Sequence, residues 1–253
     1  MAANLTKSLR KLYYRFAPDH VWHENLPLPD KRLRTGGEEF QDDAYFLQSA
    51  RHEAQRLVSH FSLTAEDNLL DVGCGFGRLA VGLLDTLPKL AYTGLDVNPV
   101  AIEWCQRHIE TVHPSFQFVR LDVQNDRYNP EGQALDGRFR FPFSDNTFDV
   151  AYLYSVFSHM VQADVEIYLA ELRRILNENG RLFFTAFAEK DVPDMTVNPA
   201  NYRNIEWKSA LHCVRYNVDS LQALLVQCGF QVDEFVYEQE TNGQSAFYVS
   251  VAA

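Results

Sequence analysis

The stretch Leu69-Leu70-Asp71-Val72-Gly73-Cys74-Gly75-Phe76-Gly77-Arg78 decides how this chain is read. A short apolar strand ends in a carboxylate and gives way at once to three glycines spaced by two. Glycine lacks a Cβ, so it accepts positive φ and lets backbone N–H groups come close to a ligand. The helix that begins near Gly77 aims its N-terminus at the same spot, where anions usually bind. These features predict a nucleotide-type pocket. Asp71 qualifies that reading, because a carboxylate at the lip of a pyrophosphate cradle would repel the ligand. A ligand carrying positive charge suits it better.

Outward from this stretch, strands are predicted over 68–72, 91–96, 116–122, 148–154, 180–187, 230–238 and 245–252. Helices are predicted over 77–87, 98–110, 163–177 and 218–228. Alternating strands and helices mean an α/β fold with a parallel, doubly wound sheet. Only Glu240-Thr241-Asn242-Gly243-Gln244 separates the last two strands, and its Asn-Gly signal predicts an antiparallel hairpin. The expected architecture is therefore a seven-stranded, mostly parallel sheet with a C-terminal antiparallel hairpin. Ahead of it, Phe46, Leu47, Ala50, Ala54, Leu57, Val58 and Phe61 recur at helical spacing over 38–61. Glu38, Glu39, Asp42, Arg51, Glu53 and Arg56 lie mostly on other faces of that helix. The chain reads as a single domain over 1–253, with 1–67 a helical extension or lid and 68–253 the core. Two insertions, 123–147 and 188–217, exceed ordinary loop lengths.

Asp71-Val72-Gly73-Cys74-Gly75-Phe76-Gly77 resembles the first motif of the class I S-adenosylmethionine-dependent methyltransferases, whose cofactor carries an ammonium and a sulfonium. Tyr92-Thr93-Gly94-Leu95-Asp96-Val97 resembles the family's second strand, and an acid placed like Asp96 holds both ribose hydroxyls. Asp122, at the end of Phe116-Gln117-Phe118-Val119-Arg120-Leu121-Asp122-Val123, is implied to meet the adenine amino group. The run from Phe148 to His159 resembles the fourth strand and the loop beside the reacting methyl. Leu172 to Leu182 resembles the helix, turn and fifth strand, commonly leucine-x-proline-glycine-glycine. Here Asn177-Glu178-Asn179-Gly180 replaces the proline and first glycine, a departure that touches a turn and not the cofactor site. Dinucleotide-binding enzymes also carry an acid ~20 residues after their glycines. The two-and-two glycine spacing, the acid before it, the third acid and the closing hairpin separate the two families.

The resemblance implies S-adenosyl-L-methionine as cofactor and S-adenosyl-L-homocysteine as product. It implies a cofactor site of Asp71, Gly73, Cys74, Gly75, Gly77, Arg78, Asp96, Val97, Asp122 and Val123, with Tyr154 and Ser155 on the methionine side. Thr35-Gly36-Gly37-Glu38-Glu39-Phe40 resembles an element of bacterial methyltransferases associated with sugars and polysaccharides. There it lies across the cofactor, which would make Gly36, Gly37 and Phe40 part of a lid; an ordinary helix-entry loop is the other reading.

The 253 residues are 46% hydrophobic and 23% charged, an ordinary globular composition. No stretch approaches the ~20 apolar residues of a membrane span. A formal charge of -11 opposes broad attraction to nucleic acid, so no nucleic-acid partner is expected. The charge is unevenly spread, +4 over residues 1–35 and -15 over the rest. Within 1–18, Leu5, Leu9, Leu12, Tyr13 and Phe16 oppose Lys7, Arg10, Lys11 and Arg15. That segment reads as a helix docking on the domain or as one lying on an anionic membrane. It lacks acids, as transit peptides do. Cys74, Cys105, Cys213 and Cys228 form neither a disulfide framework nor a metal pattern, and the eight histidines are scattered. A cytoplasmic setting and no metal are expected. The oligomeric state is left open.

A small polar acceptor is expected, bound by the insertions. Tyr128 in the first, and Tyr202, Trp207, His212 and Arg215 in the second, offer aromatic faces with polar tips, suited to a sugar ring; any one of them also serves as a core anchor. Methyl transfer needs alignment more than protein chemistry, but a hydroxyl acceptor benefits from a base. His159, just past the fourth strand, is the candidate, since imidazole ordinarily titrates near neutral pH; packing of the loop is its other reading. The expected function is methylation of a small acceptor, foremost a hydroxyl of a sugar or glycan precursor. N- or C-methylation of another metabolite, and a cofactor-binding subunit without catalysis, are the alternatives.

Overall fold

The computed structural model describes residues 18–125, 128–204, 206–207 and 209–252. The readings of segment 1–18 as a docking or membrane-surface helix fall outside these residues, Pro18 apart. The stretch quoted above forms the middle of the sheet. Strand β3 (Asn68–Val72) lies between β4 (Ala91–Asp96) and β6 (Phe148–Leu153), parallel to both. Strand β5 (Phe116–Arg120) continues outward from β4, and β7 (Leu176–Glu189) from β6. Strand β11 (Ser245–Val251) runs antiparallel to β7 and carries β10 (Phe230–Val236) on its outer side. The order is β10-β11-β7-β6-β3-β4-β5. The chain winds outward from β3 through β5 and then returns to β6 on the other side of β3. Ligands bind beyond the carboxyl ends of strands at such a reversal.

Alternate residues of a strand point to opposite faces. Leu69, Val150 and Tyr152 accordingly enter one core with α1 (Asp43–Phe61), α2 (Arg78–Thr86) and α3 (Pro99–Cys105). Leu70, Ala151 and Leu153 enter the other with α4 (Gln162–Ile175) and α5 (Val218–Gln227). The caps are local: Asp42 accepts from Tyr45 N, Asn98 from Val100 N and Ala101 N, and Asn217 from Asp219 N and Ser220 N. Gly82 lets α1 and α2 touch backbone to backbone. A Cβ there would fall 2.1 Å from the Ala50 carbonyl oxygen.

The structure departs from the sequence reading in three places. The described part of the extension expected to be a helical lid also holds a hairpin, β1 (His20–His23) and β2 (Leu26–Pro29), turned by Glu24 and Asn25 at φ 49° and 64°. Insertion 188–217 is not all loop: β9 (Val214–Asn217) pairs parallel with the end of β7, and β8 (Met195–Val197) pairs antiparallel with β9. The sheet therefore has nine strands, not seven. These segments are only three and four residues long, and β9 is held by pairing with β7 and β8 by pairing with β9, a tertiary effect. Finally, Glu53 and Arg56 are buried, although helical periodicity put them off the apolar face of α1. They face other charges, described below.

Candidate active site

At the carboxyl end of β3 the three glycines take φ of 79°, 53° and 72° at Gly73, Gly75 and Gly77. Gly73 N and Cys74 N both donate to the Leu95 carbonyl, at 2.7 and 2.9 Å, which locks the loop against β4. A Cβ on Gly73 would strike Val156, so the loop also packs closely on the turn after β6. A Cβ on Gly75 would meet no atom within 4 Å, and the open space above it is a cradle for a ligand.

Asp96 ends β4 beside that space. Its two carboxylate oxygens accept from Gly75 N at 2.7 Å and Asn98 N at 2.8 Å. Each oxygen keeps a lone pair for a further donor such as a ribose hydroxyl. Burial pushes the Asp96 carboxyl up, against the donors from Asn98, Gly75 and Val97. Val97 is half-buried next to it. Cys74 is buried below the loop, near Cys105.

Asp71 is not at the lip of the cradle. It is 2% exposed and accepts from Tyr92 Oη at 2.6 Å, with burial pushing its carboxyl up to about 7. It belongs to a buried polar network behind the loop that sequence reasoning missed. Glu53 accepts from Tyr152 Oη at 2.9 Å, and Arg56 Nε lies 3.3 Å from it. Arg56 also binds Glu240 with both terminal nitrogens, at 2.6 and 3.1 Å. Tyr154 Oη bonds to Thr241 at 2.9 Å and Glu240 at 3.2 Å. Arg78 stands over the Tyr154 ring at 4.8 Å and over the Phe40 ring at 5.7 Å. Charges from α1, α2 and the β10–β11 connection thus meet behind the cofactor loop. Only their burial singles them out, and a helical-wheel reading cannot see it.

Phe40 links the network to the Gly36–Gly37 turn. A Cβ on Gly36, at φ 115°, would lie 2.9 Å from the Phe40 ring. Arg34 anchors this segment by donating to the carbonyls of Pro29 and Phe40 and to Asp43.

Ser155 is held at φ 58°, a left-handed conformation uncommon outside glycine. Its N–H donates to Thr185 Oγ1, and its hydroxyl bonds to Ser158 and Gln244. Beyond β5, Asp122 is exposed and braced by Asn129 Nδ2 at 3.1 Å and Arg120 at 3.4 Å. Val123 bridges Gln133, while Tyr128 sits half out of the same insertion.

The second insertion brings its aromatic residues into a row. Tyr202 stacks on Trp207 (6.4 Å between centroids), Trp207 meets His212 (5.6 Å) and His212 meets His159 (6.5 Å). His159 Nδ1 lies 3.1 Å from the Leu211 carbonyl, tying the post-β6 turn to the insertion. At the other end, Glu189 accepts from Tyr202 Oη at 2.6 Å and pairs with Arg203 and Arg215. Arg215 lies over the Tyr202 ring, and its buried Nε has no hydrogen-bond partner among the described residues. Tyr128 stands in the other insertion, outside this row.

Comparison with known proteins agrees with this geometry. A family profile described as a methyltransferase domain matches residues 70–182. O-methyltransferase rstn1 of Aspergillus nomiae is 31% identical over 179 residues, 70% of this chain and 70% of that protein. Fatty-acid O-methyltransferase of Mycolicibacterium smegmatis is 30% identical over 197 residues, 75% of this chain and 64% of that protein. The match spans less than half the length of the mycobacterial phthiotriol/phenolphthiotriol dimycocerosates methyltransferases. A crystal structure of Burkholderia thailandensis 1,6-didemethyltoxoflavin-N1-methyltransferase with bound S-adenosylhomocysteine aligns with a TM-score of 0.55 at 17% identity. It covers 83% of this chain and 82% of that one, and shows the fold alone.

The chain belongs to the class I S-adenosylmethionine-dependent methyltransferases. S-adenosylmethionine is the cofactor, and the residues at the carboxyl edge fit it: an open glycine cradle and a backbone-fixed Asp96. No helix among the described residues is long and apolar enough to cross a membrane.

Proposed function

We propose that the chain transfers the methyl group of S-adenosylmethionine to an oxygen of a small-molecule acceptor, with a hydroxyl of a sugar or glycan precursor as the first class. His159 carries this reading. Donation from its Nδ1 to the Leu211 carbonyl makes Nε2 the nitrogen with the lone pair, on a ring fixed between the post-β6 turn and the aromatic row.

Bound S-adenosylmethionine supplies an electrophilic methyl group on a sulfonium. The glycine loop and Asp96 would hold the cofactor's amino-acid and ribose parts, and Asp122 and Val123 would border its adenine. The Ser155 turn fixes the methionine side, and Phe40 with Gly36 and Gly37 covers it as a lid. Such positioning supplies ~7–11 kcal/mol in well-oriented systems. His159 would accept the proton of the acceptor hydroxyl on Nε2. Tyr202, Trp207 and His212 would present ring faces to the acceptor, next to the Arg215 guanidinium that pairs with Glu189.

The name of the Mycolicibacterium smegmatis relative, a fatty-acid O-methyltransferase, favours a second reading, an oxygen on an apolar chain. Arg215 would meet a carboxylate as readily as a sugar oxygen. A panel of sugar nucleotides, glycans, hydroxylated lipids and fatty acids, assayed with methyl-labelled cofactor, separates the two. Label on a sugar hydroxyl supports the first reading and label on a lipid oxygen the second. Transfer only to nitrogen or carbon would overturn oxygen methylation. Cofactor binding without transfer to any acceptor would favour a non-catalytic subunit.

A further inference from the structure

Away from the cofactor cradle and the aromatic row, three ligating side chains meet that stand far apart in sequence. Asp19 and His20 open the N-terminal hairpin, and His108 lies 89 positions after Asp19. His108 belongs to a π-helical turn, Gln106–Glu110, that continues α3. π-Helical turns are rare and concentrate at functional sites.

Both rings address one oxygen. His108 Nε2 is 3.0 Å and His20 Nδ1 3.4 Å from Asp19 Oδ1, and the three ligand atoms lie within 4.8 Å of one another. Neighbouring ligand atoms around zinc stand ~3.3–3.4 Å apart when its bonds are ~2.0–2.1 Å and tetrahedral. The set is wider than a closed zinc shell, so binding would require the His20 and His108 rings, packed at 4.3 Å between centroids, to turn toward the ion.

The outer support is already present. Arg107 donates to the other Asp19 oxygen at 2.8 Å, so the carboxylate has one oxygen for the cation and one for a metal. The Asp19 carbonyl accepts from Trp104 Nε1 at 2.9 Å and from Asp30 N at 2.9 Å. The His108 ring packs on Trp104 at 5.0 Å. Such neighbours fix ligand orientation in metal sites. A cavity of about 520 Å³ borders Asp19, Trp104 and Arg107 and reaches Phe76 of the glycine loop, and neither of the two histidines lines it.

We propose that Asp19, His20 and His108 form a site for a divalent transition metal of the zinc type. Two imidazoles with one carboxylate select such an ion over magnesium or calcium, which prefer all-oxygen sets. The metal joins the N-terminal hairpin to α3. Through Trp104, whose ring lies 6.2 Å from Phe76, it braces the outer side of the glycine loop. Its role is structural, apart from methyl transfer.

The test uses the full chain without a histidine tag, stripped by chelator and titrated with Zn²⁺ and with Co²⁺ as a spectroscopic stand-in. One equivalent should bind with visible Co²⁺ bands and no sulfur charge-transfer band, and Zn²⁺ should raise Tm. His20→Ala and His108→Ala should each weaken binding by at least ~10-fold, as expected for loss of a ligand. His60→Ala, at a histidine stacked on Tyr248, should leave it unchanged. If His108→Ala does not fold, His20→Gln and Asp19→Asn carry the test. No saturable binding by ~100 µM metal, equal affinity in the folded ligand variants, or a sulfur charge-transfer band would each overturn the proposal.

Discussion

The cofactor cradle and the proposed acceptor side of this molecule are built by different means. On the cofactor side the important contacts are main-chain: Gly73 and Cys74 bond to Leu95, and Gly75 and Asn98 bond to Asp96. On the proposed acceptor side they are made by side chains, His159 with the Leu211 carbonyl and Tyr202 with Glu189. Backbone geometry needs few residue types and leaves a short motif. Side-chain constellations admit many solutions and leave no local pattern. The cofactor side thus reports a family, while the acceptor side carries what is particular to this chain.

The sharpest way to break this division is at the histidine that joins the two sides. His159→Ala should lower kcat by ~10²–10⁴ while calorimetry finds cofactor affinity unchanged. A folded variant keeping more than about a third of wild-type kcat would leave His159 a packing residue.

The next largest effect concerns the charge enclosed behind the glycine loop. Asp71 binds its proton more tightly in the folded chain than in the unfolded one, because burial raises its carboxyl to about 7. Its contribution to stability is therefore present below the unfolded carboxylate value of ~3.9 and is lost as pH rises to about 7, a change of up to ~4 kcal/mol. Asp71→Asn should remove this slope from denaturant-derived stabilities between those limits. An identical pH dependence in wild type and variant would show that Asp71 ionises as freely folded as unfolded.

Asp96 tests the main-chain-anchored side. Asp96→Ala should cost ~1.5–3 kcal/mol of cofactor binding, the size of a hydrogen bond to a charged group, without shifting the acceptor KM at saturating cofactor. Equal cofactor affinity would remove Asp96 from the site. The smallest effect is expected at the aromatic row. Trp207→Ala should raise the acceptor KM by an amount worth ~0.5–1.5 kcal/mol, the range for one ring contact, and leave cofactor Kd alone. A change in cofactor Kd instead would mean that the two sides are coupled through the insertion.

The sequence by itself determined the alternation of central strands and helices along the chain, the glycine loop with Asp96 and the closing hairpin. Each leaves a local pattern, an apolar run ended by an acid, a glycine spacing or an Asn-Gly turn, in which periodicity and turn chemistry act directly. Only the tertiary structure decided that Asp71 is enclosed rather than presented. It also decided that Glu53 and Arg56 leave the polar side of their helix to meet Tyr152 and Glu240, and that β8 and β9 extend the sheet. The same holds for the meeting of His159 with the insertion and of Asp19 with His108. In all these cases partners 21 to 184 positions apart, or strand pairing across an insertion, set the outcome. Burial of a polar group is settled by what faces it across the fold, and no local pattern encodes that.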